Sequence, residues 1–266
     1  MALSSTAYSD VFKRTEMKYR LDHDQRSILN TAIDQHMVMG EFGETKIASL
    51  YYDTPDFALI ERSLDKPLYK EKLRLRVYGD PSPLAPSFVE LKKKFKGVVY
   101  KRRVMLSLHA AQAFFSGMHY EEACRAFPLL DHEAQAQSLS PRSIQIAHEI
   151  TFAIRRYEDL VPSFLITCAR RAYETAEESE LRITFDDELA CSYEAKSPLQ
   201  ASEPVPLLAL GESIMEVKNA GPLPLWLLRA LSEAKAYPQS FSKYGHAYMS
   251  LKNNWQDRMR KDDECA

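Results

Sequence analysis

Three consecutive segments of this chain alternate charge with hydrocarbon at a period of two, and that pattern leaves few folds open. Tyr69 to Tyr78 sets Lys72, Arg74 and Arg76 against Leu73, Leu75 and Val77. Ser87 to Phe95 sets Glu90, Lys92 and Lys94 against Val89 and Leu91, and Val98 to Ser107 sets Lys101 and Arg103 against Tyr100, Val104 and Leu106. Successive side chains of a strand point to opposite faces, so each segment reads as a strand with one cationic and one apolar face. Gly79-Asp80-Pro81 and Lys96-Gly97 supply the turns. Lys66 to Arg103 holds twelve basic and three acidic residues, a local +9 in a chain of formal net charge −2, so the remainder carries −11. Such asymmetry points to an anionic ligand met in one place and an acidic surface elsewhere.

The rest of the chain alternates strands with helical stretches. Val11 to Leu21 reads as a strand carrying Arg14, Glu16, Lys18 and Arg20 in one parity. Asp22 to Met37 reads as a helix capped by Asp22 or Asp24, Thr45 to Asp53 as a strand, and Thr54-Pro55-Asp56 as a break before a short helix ending at Leu64. His109 to Leu160 is helical in pattern. Strands return at Ser163 to Tyr173, Leu181 to Asp187 and Glu212 to Lys218, the last after a Pro/Ser-rich loop, Ser197 to Pro206. Helices are expected at Leu223 to Ala234 and Tyr244 to Asn253. One domain over 10–252 is expected, with short flexible tails at 1–9 and 253–266.

Composition removes several classes. A 266-residue chain that is 45% hydrophobic and 27% charged buries a sizeable core, so disorder is not its main state. It has no run near the roughly 18–20 apolar residues of a membrane-spanning helix, and Met1 to Asp10 lacks the apolar centre of a signal peptide, so a soluble cytoplasmic protein is expected. Cys124, Cys168, Cys191 and Cys265 form no CxxC pair and read as reduced thiols. With 8 glycines and no Gly-rich loop, a P-loop or dinucleotide fold is disfavoured. His132-Glu133 and His148-Glu149 form no HExxH, Trp226 reads as a core anchor, and Ser242 has no triad partners nearby. Few aromatics interleave the basic strands, so nucleic acid is not the expected partner.

Where the charged faces point decides the function. Wetted by solvent, they are an ordinary polar surface. Converging on one another, they form a cation-lined cavity, and such a cavity requires a polyanion because unpaired cations are costly in a dry interior. Arginine favours this second reading, since its planar fork grips phosphate. So does the repeat of Glu-x-Lys at Glu16, Glu90 and Glu216, which sets carboxylates for a hard metal among the cations. Arg102 and Arg171 have the opposite parity and are expected to face helices or solvent.

Nine short motifs occur in one order: Arg14 to Tyr19 (RTEMKY), Ser49 to Thr54 (SLYYDT), Leu73 to Gly79 (LRLRVYG), Val89 to Lys92 (VELK), Lys101 to Arg103 (KRR), Arg170 to Tyr173 (RRAY), Leu181 to Asp186 (LRITFD), Met215 to Lys218 (MEVK) and Phe241 to Tyr244 (FSKY). Together, over about residues 10 to 250, they resemble the VTC domain, the polyphosphate polymerase module of the vacuolar transporter chaperone complex and its bacterial relatives. The resemblance implies a triphosphate tunnel metalloenzyme: an α+β fold whose eight-stranded antiparallel β-barrel forms a tunnel with flanking helices. Arg14 stands where the sister CYTH branch has the first Glu of Glu-x-Glu-x-Lys, which favours the VTC branch.

Roles follow from the resemblance, position by position. Arg74, Arg76, Lys92, Arg170 and Lys218 match cations at the reacting phosphates, and Lys18, Lys101, Arg182 and Lys243 match further phosphate-binding cations, with Ser242 adding a hydroxyl. Arg103 joins by its parity with Lys101. Glu216 matches the carboxylate for Mn²⁺ or Mg²⁺; Glu16 and Glu90 either bind metal or orient neighbouring cations. The implied activity is transfer of the γ-phosphate of ATP to pyrophosphate or a growing polyphosphate. The open alternatives are a triphosphate hydrolase of the same fold and a non-catalytic polyphosphate or nucleotide sensor. Oligomeric state and a membrane-protein partner are left open.

Overall fold

A computed structural model describes residues 15–157, 159–175, 181–200 and 203–264. Its first half runs β1 Thr15–Leu21, α1 His23–His36, β2 Val38–Asp53, α2 Ala58–Leu64, β3 Tyr69–Tyr78, β4 Pro86–Phe95, β5 Val98–Ser107 and α3 Leu108–Phe115. It continues α4 Tyr120–Ala126, α5 His132–Ser138, α6 Pro141–Arg156, β6 Val161–Glu174, β7 Arg182–Ser192, β8 Val205–Pro206, β9 Ser213–Asn219, α7 Leu225–Glu233 and α8 Lys243–Glu264. The fold is α+β. Its strands follow the path β1-β9-β7-β6-β2-β3-β4-β5, with the two-residue β8 added to β7. The eight long strands expected from the sequence are all there, but among the described residues their pairing has two ends, so the expected closure into a barrel is not part of it.

The chain divides into two compact units. The first takes the described residues up to Glu44, Arg170–Asp187 and Leu210–Ser240. Here β1 pairs with β9 and β9 with β7, both antiparallel. One parity of these strands, Tyr19, Leu21, Ile183, Phe185, Met215 and Val217, packs with Leu29 and Ile33 of α1 and Leu227 and Ala230 of α7. Helix α1 begins with a capping box: Asp22 accepts from the Gln25 amide at 2.8 Å, and the Gln25 side chain accepts from the Asp22 amide at 3.1 Å.

The second unit takes Thr45–Ala169, Glu188–Ala209 and the chain from Phe241. The β2–β5 part of its sheet is an antiparallel meander. Lys96 and Gly97 turn β4 into β5 with φ of 47° and 88°, the pair of positive values that a two-residue hairpin turn demands. Leu50, Leu73, Leu75, Val77, Val89, Leu91, Val104 and Leu106 are buried on the inner face with residues of α3, α4 and α6. Helix α6 starts at Pro141 behind the Ser140 N-cap and buries Ala147, Ile150 and Ala153. The opposite parity of the same strands is left to carry charge.

Three boundaries differ from the sequence reading by several residues. Strand β2 begins at Val38, well before Thr45, because Gly40 and Gly43 resemble a turn and Met39 and Phe42 are exposed, which hides the alternation. Strand β7 continues past Asp187 through Glu188, which has φ of 52°. Helix α8 runs to Glu264, into the segment expected to be a flexible tail, where Arg258, Met259, Arg260, Lys261 and Glu264 are good helix formers. The expected strand residues 11–14, including Arg14, and Cys265 lie outside the described residues. No helix among the described residues is long and apolar enough to cross a membrane.

Candidate phosphate-binding faces

Each unit carries its own charged cluster. In the second, cross-strand register sets Tyr51, Arg74, Glu90 and Arg103 in one row, and Lys72, Lys92 and Lys101 in the next row of the same face. Glu90, 1% exposed, is the hub: its Oε2 lies 2.6 Å from Arg74 Nε, and its Oε1 lies 2.6 Å from Lys101 Nζ and 3.5 Å from Arg103 Nε. Burial would raise its pKa, but the charges of Arg74, Arg76 and Lys101 outweigh that and hold it down at about 2. Burial lowers the Lys101 pKa despite Glu90, with Arg74 and Arg103 adding to the effect.

The surrounding groups fix the other cations. Arg76 is buried and donates from Nε to Ser49 Oγ at 3.1 Å. Lys72 Nζ donates to Ser242 Oγ at 2.7 Å, and Lys243 Nζ lies 3.0 Å from Cys168 Sγ. The Arg103 guanidinium lies over the Phe88 ring, 3.5 Å from its centroid. Arg74, Lys101 and Arg103 thus converge on the one Glu90 carboxylate.

The cluster of the first unit is more nearly balanced. Register places Glu16 opposite Lys218 and Lys18 opposite Glu216. Lys218 Nζ is 2.6 Å from Glu216 and 4.0 Å from Glu16, while Lys18 Nζ is 3.4 Å from Glu16 and 4.0 Å from Glu216. The two carboxylates and two ammonium groups therefore alternate. Burial would raise the Glu216 pKa, yet Lys218 and Lys18 bring it below the ordinary value, so the group is ionised. Arg170 is held by two bonds to Asp186, Nε at 2.6 Å and Nη2 at 2.7 Å, and Asp186 is 1% exposed. Arg182 is more open, 3.7 Å from Glu174.

These donors limit what metal could be held. Among the described residues no three or more His, Cys, Asp or Glu side chains group as a metal cage. The pair Glu16 and Glu216 remains, and Thr184, in register with Glu216, has a buried Oγ1 with no hydrogen-bond partner among the described residues. Mg²⁺ commonly takes one or two carboxylates and completes its octahedron with phosphate oxygens and water. The donor set of the first unit fits such a metal. Glu90 does not fit, because three cations already occupy its carboxylate.

Of the positions singled out in the sequence, Arg74, Arg76, Lys92, Lys101, Arg103, Glu90, Ser242 and Lys243 fall in the second unit; Glu16, Lys18, Arg170, Arg182, Glu216 and Lys218 fall in the first. Arg102 and Arg171 take other partners: Arg102 meets Glu149 of α6 at 2.7 Å, and Arg171 meets Asp187 at 3.0 Å. Tyr51, Ser49, Asp186 and Thr184 escaped the sequence reading. Parity carried the signal for Asp186, which shares a strand face with Arg182 and Thr184, and for Tyr51, which shares one with Ser49.

The sequence matches the family model of the VTC domain over residues 13–252. No curated protein matches the chain. Among solved structures it is similar to a proposed adenylyl cyclase of Hippeastrum, described as having a dominant triphosphatase activity, at 14% identity, 86% of this chain, 92% of that one and a TM-score of 0.47. A proposed adenylate cyclase of Bacillus halodurans gives 14% identity, 86% and 95% coverage and a TM-score of 0.43. One of Vibrio parahaemolyticus gives 12%, 88%, 97% and 0.42.

Proposed function

Because this chain belongs to the VTC domain family, we propose that it is a metal-dependent polyphosphate polymerase, transferring the γ-phosphate of ATP to pyrophosphate or a growing polyphosphate chain. The observation that carries this reading is the cationic face of β3–β5, where Arg74, Lys101 and Arg103 meet on Glu90 and Lys72 and Lys92 lie in the adjoining row. Phosphoryl transfer needs little covalent chemistry from a protein; positioning and neutralisation of charge do most of the work. Arg74 and Arg170 are suited to it, because their guanidinium planes are fixed by Glu90 and Asp186 before any phosphate arrives.

In this reading the terminal oxygen of the chain, already ionised, attacks the γ-phosphorus in line. The bond from γ-phosphorus to the β,γ-bridging oxygen breaks, ADP leaves, and the chain is longer by one phosphate. No strong general base is required. Lys92, Lys101, Arg103 and Lys243 hold phosphates by charge, which suits a polymer that must move through equivalent positions. Glu216 and Glu16 would hold Mn²⁺ or Mg²⁺, and the bound ion would supply further neutralisation of phosphate charge. Lys18, Arg182 and Lys218 would hold phosphate beside those carboxylates, Ser242 would orient Lys72, and the reaction would take place in the cytoplasm.

Phosphorus NMR of the protein with ATP, Mn²⁺ or Mg²⁺ and pyrophosphate tests this. Growth of internal-phosphate signal together with ADP is the expected result. Orthophosphate alone would replace the polymerase by a triphosphate hydrolase, and bound but unconsumed ATP would replace it by a sensor.

A further inference from the structure

Tyr51 differs from the other aromatic residues of the second unit. Strand β2 places it, with Ser49, on the charged face, yet it is only 5% exposed. Its ring lies flat on that of Tyr244, with centroids 4.5 Å apart and planes 8° apart. Its hydroxyl accepts from Arg74 Nη1 at 3.2 Å, while Arg74 Nε donates to Glu90 at 2.6 Å. The guanidinium is therefore held from two sides by bonds that leave Nη2 out.

The groups facing Tyr51 are Lys72, Arg74 and Arg76 from β3, Glu90 from β4 beyond Arg74, and Tyr244 from α8. Asp53 sits behind Tyr244, accepting its hydroxyl at 2.6 Å. Burial alone would raise the phenol pKa of Tyr51, but Arg74, Arg76 and Lys72 overcome it and bring the phenol down to about 8. Tyr244, beside Asp53 in the same unit, is pushed the other way.

We propose that Tyr51 is a positioning residue that sets the grip of Arg74 on phosphate, orienting the guanidinium as a neutral phenol and competing with phosphate for the same cations as a phenolate. The proposal rests on the reading of this face as a phosphate site. An anion bound beside Arg74 and Lys72 disfavours the phenolate, so binding above the phenol pKa takes up a proton. Affinity then falls as pH rises through that range, by about tenfold for one pH unit beyond it.

Calorimetric titration with tripolyphosphate at roughly pH 7 and pH 9 tests this, comparing the wild type with Tyr51→Phe. Titration of the ligand's own phosphates is common to both proteins and cancels in the comparison. The wild type is expected to lose about tenfold more affinity between the two conditions than Tyr51→Phe, and tripolyphosphate is expected to bleach its ultraviolet phenolate band at the higher pH. Tyr78 also has a lowered pKa, beside Arg76 and Arg103. Tyr78→Phe should keep both behaviours, so the bleaching reports on Tyr51 even where Tyr51→Phe does not fold. Binding with parallel pH profiles, or a phenolate band that tripolyphosphate leaves unchanged in Tyr78→Phe, would overturn the role of Tyr51 alone. No binding by any of the proteins would overturn the phosphate reading itself.

Discussion

Glu90 satisfies Arg74, Lys101 and Arg103 with one carboxylate, and its removal would leave three cations in mutual repulsion. Its folded pKa, about 2, lies below its unfolded value. It therefore contributes stability that is fully present above the unfolded pKa, near 4.5, and is lost as pH falls through about 2. Glu90→Gln is expected to cost about 3 kcal/mol at neutral pH. The variant should also lose less stability than the wild type on acidification through that window; equal acid slopes in urea unfolding would contradict the assignment. At the Glu16–Glu216 pair, Glu216→Gln should lower metal-dependent turnover while leaving the melting temperature within a few degrees, and full activity would remove it from the metal reading. The cations of the two clusters were legible as residues because alternation tells which face a side chain takes. It does not tell which neighbour a strand will bring, so Asp186 as the clamp on Arg170, and Tyr51 as a partner of Arg74, emerge only from register.

At the scale of elements, the hairpin joining β4 and β5 keeps Lys92 opposite Lys101 and Glu90 opposite Arg103. Its turn depends on Gly97 at φ 88°, where a Cβ would meet nothing within 4 Å, so any cost of substitution there comes from the backbone alone. Gly97→Ala is expected to destabilise by about 1 kcal/mol. Gly221→Ala, equally open and without a positive φ, should be close to neutral in the same thermal or chemical unfolding experiment. The limits of β3 and β5 were legible to the residue because turn residues bound them and Leu73, Leu75, Val77, Val104 and Leu106 hold the apolar parity, which Glu71 and Arg102 interrupt only once in each strand. Strand β2 was legible only where Ile47, Leu50 and Tyr52 are buried, since its earlier part has no inner face to write into the sequence.

Across the whole molecule, a net charge of −2 conceals the +9 of residues 66–103, so long-range attraction of a polyanion is local and sensitive to screening. Affinity for tripolyphosphate should fall steadily between about 0.05 and 0.5 M salt; a salt-independent affinity would argue against a site built from these charges. The row Lys72, Lys92 and Lys101 has a further consequence. A polyanion laid along this row would add its charge to the partners these ammonium groups already have, and so would act as a part of the folded structure supplied from outside. Saturating tripolyphosphate at a hundredfold excess over its Kd should add about 2.7 kcal/mol to the stability of the fold. The cell's phosphate state would then govern how long this protein survives as well as how fast it works.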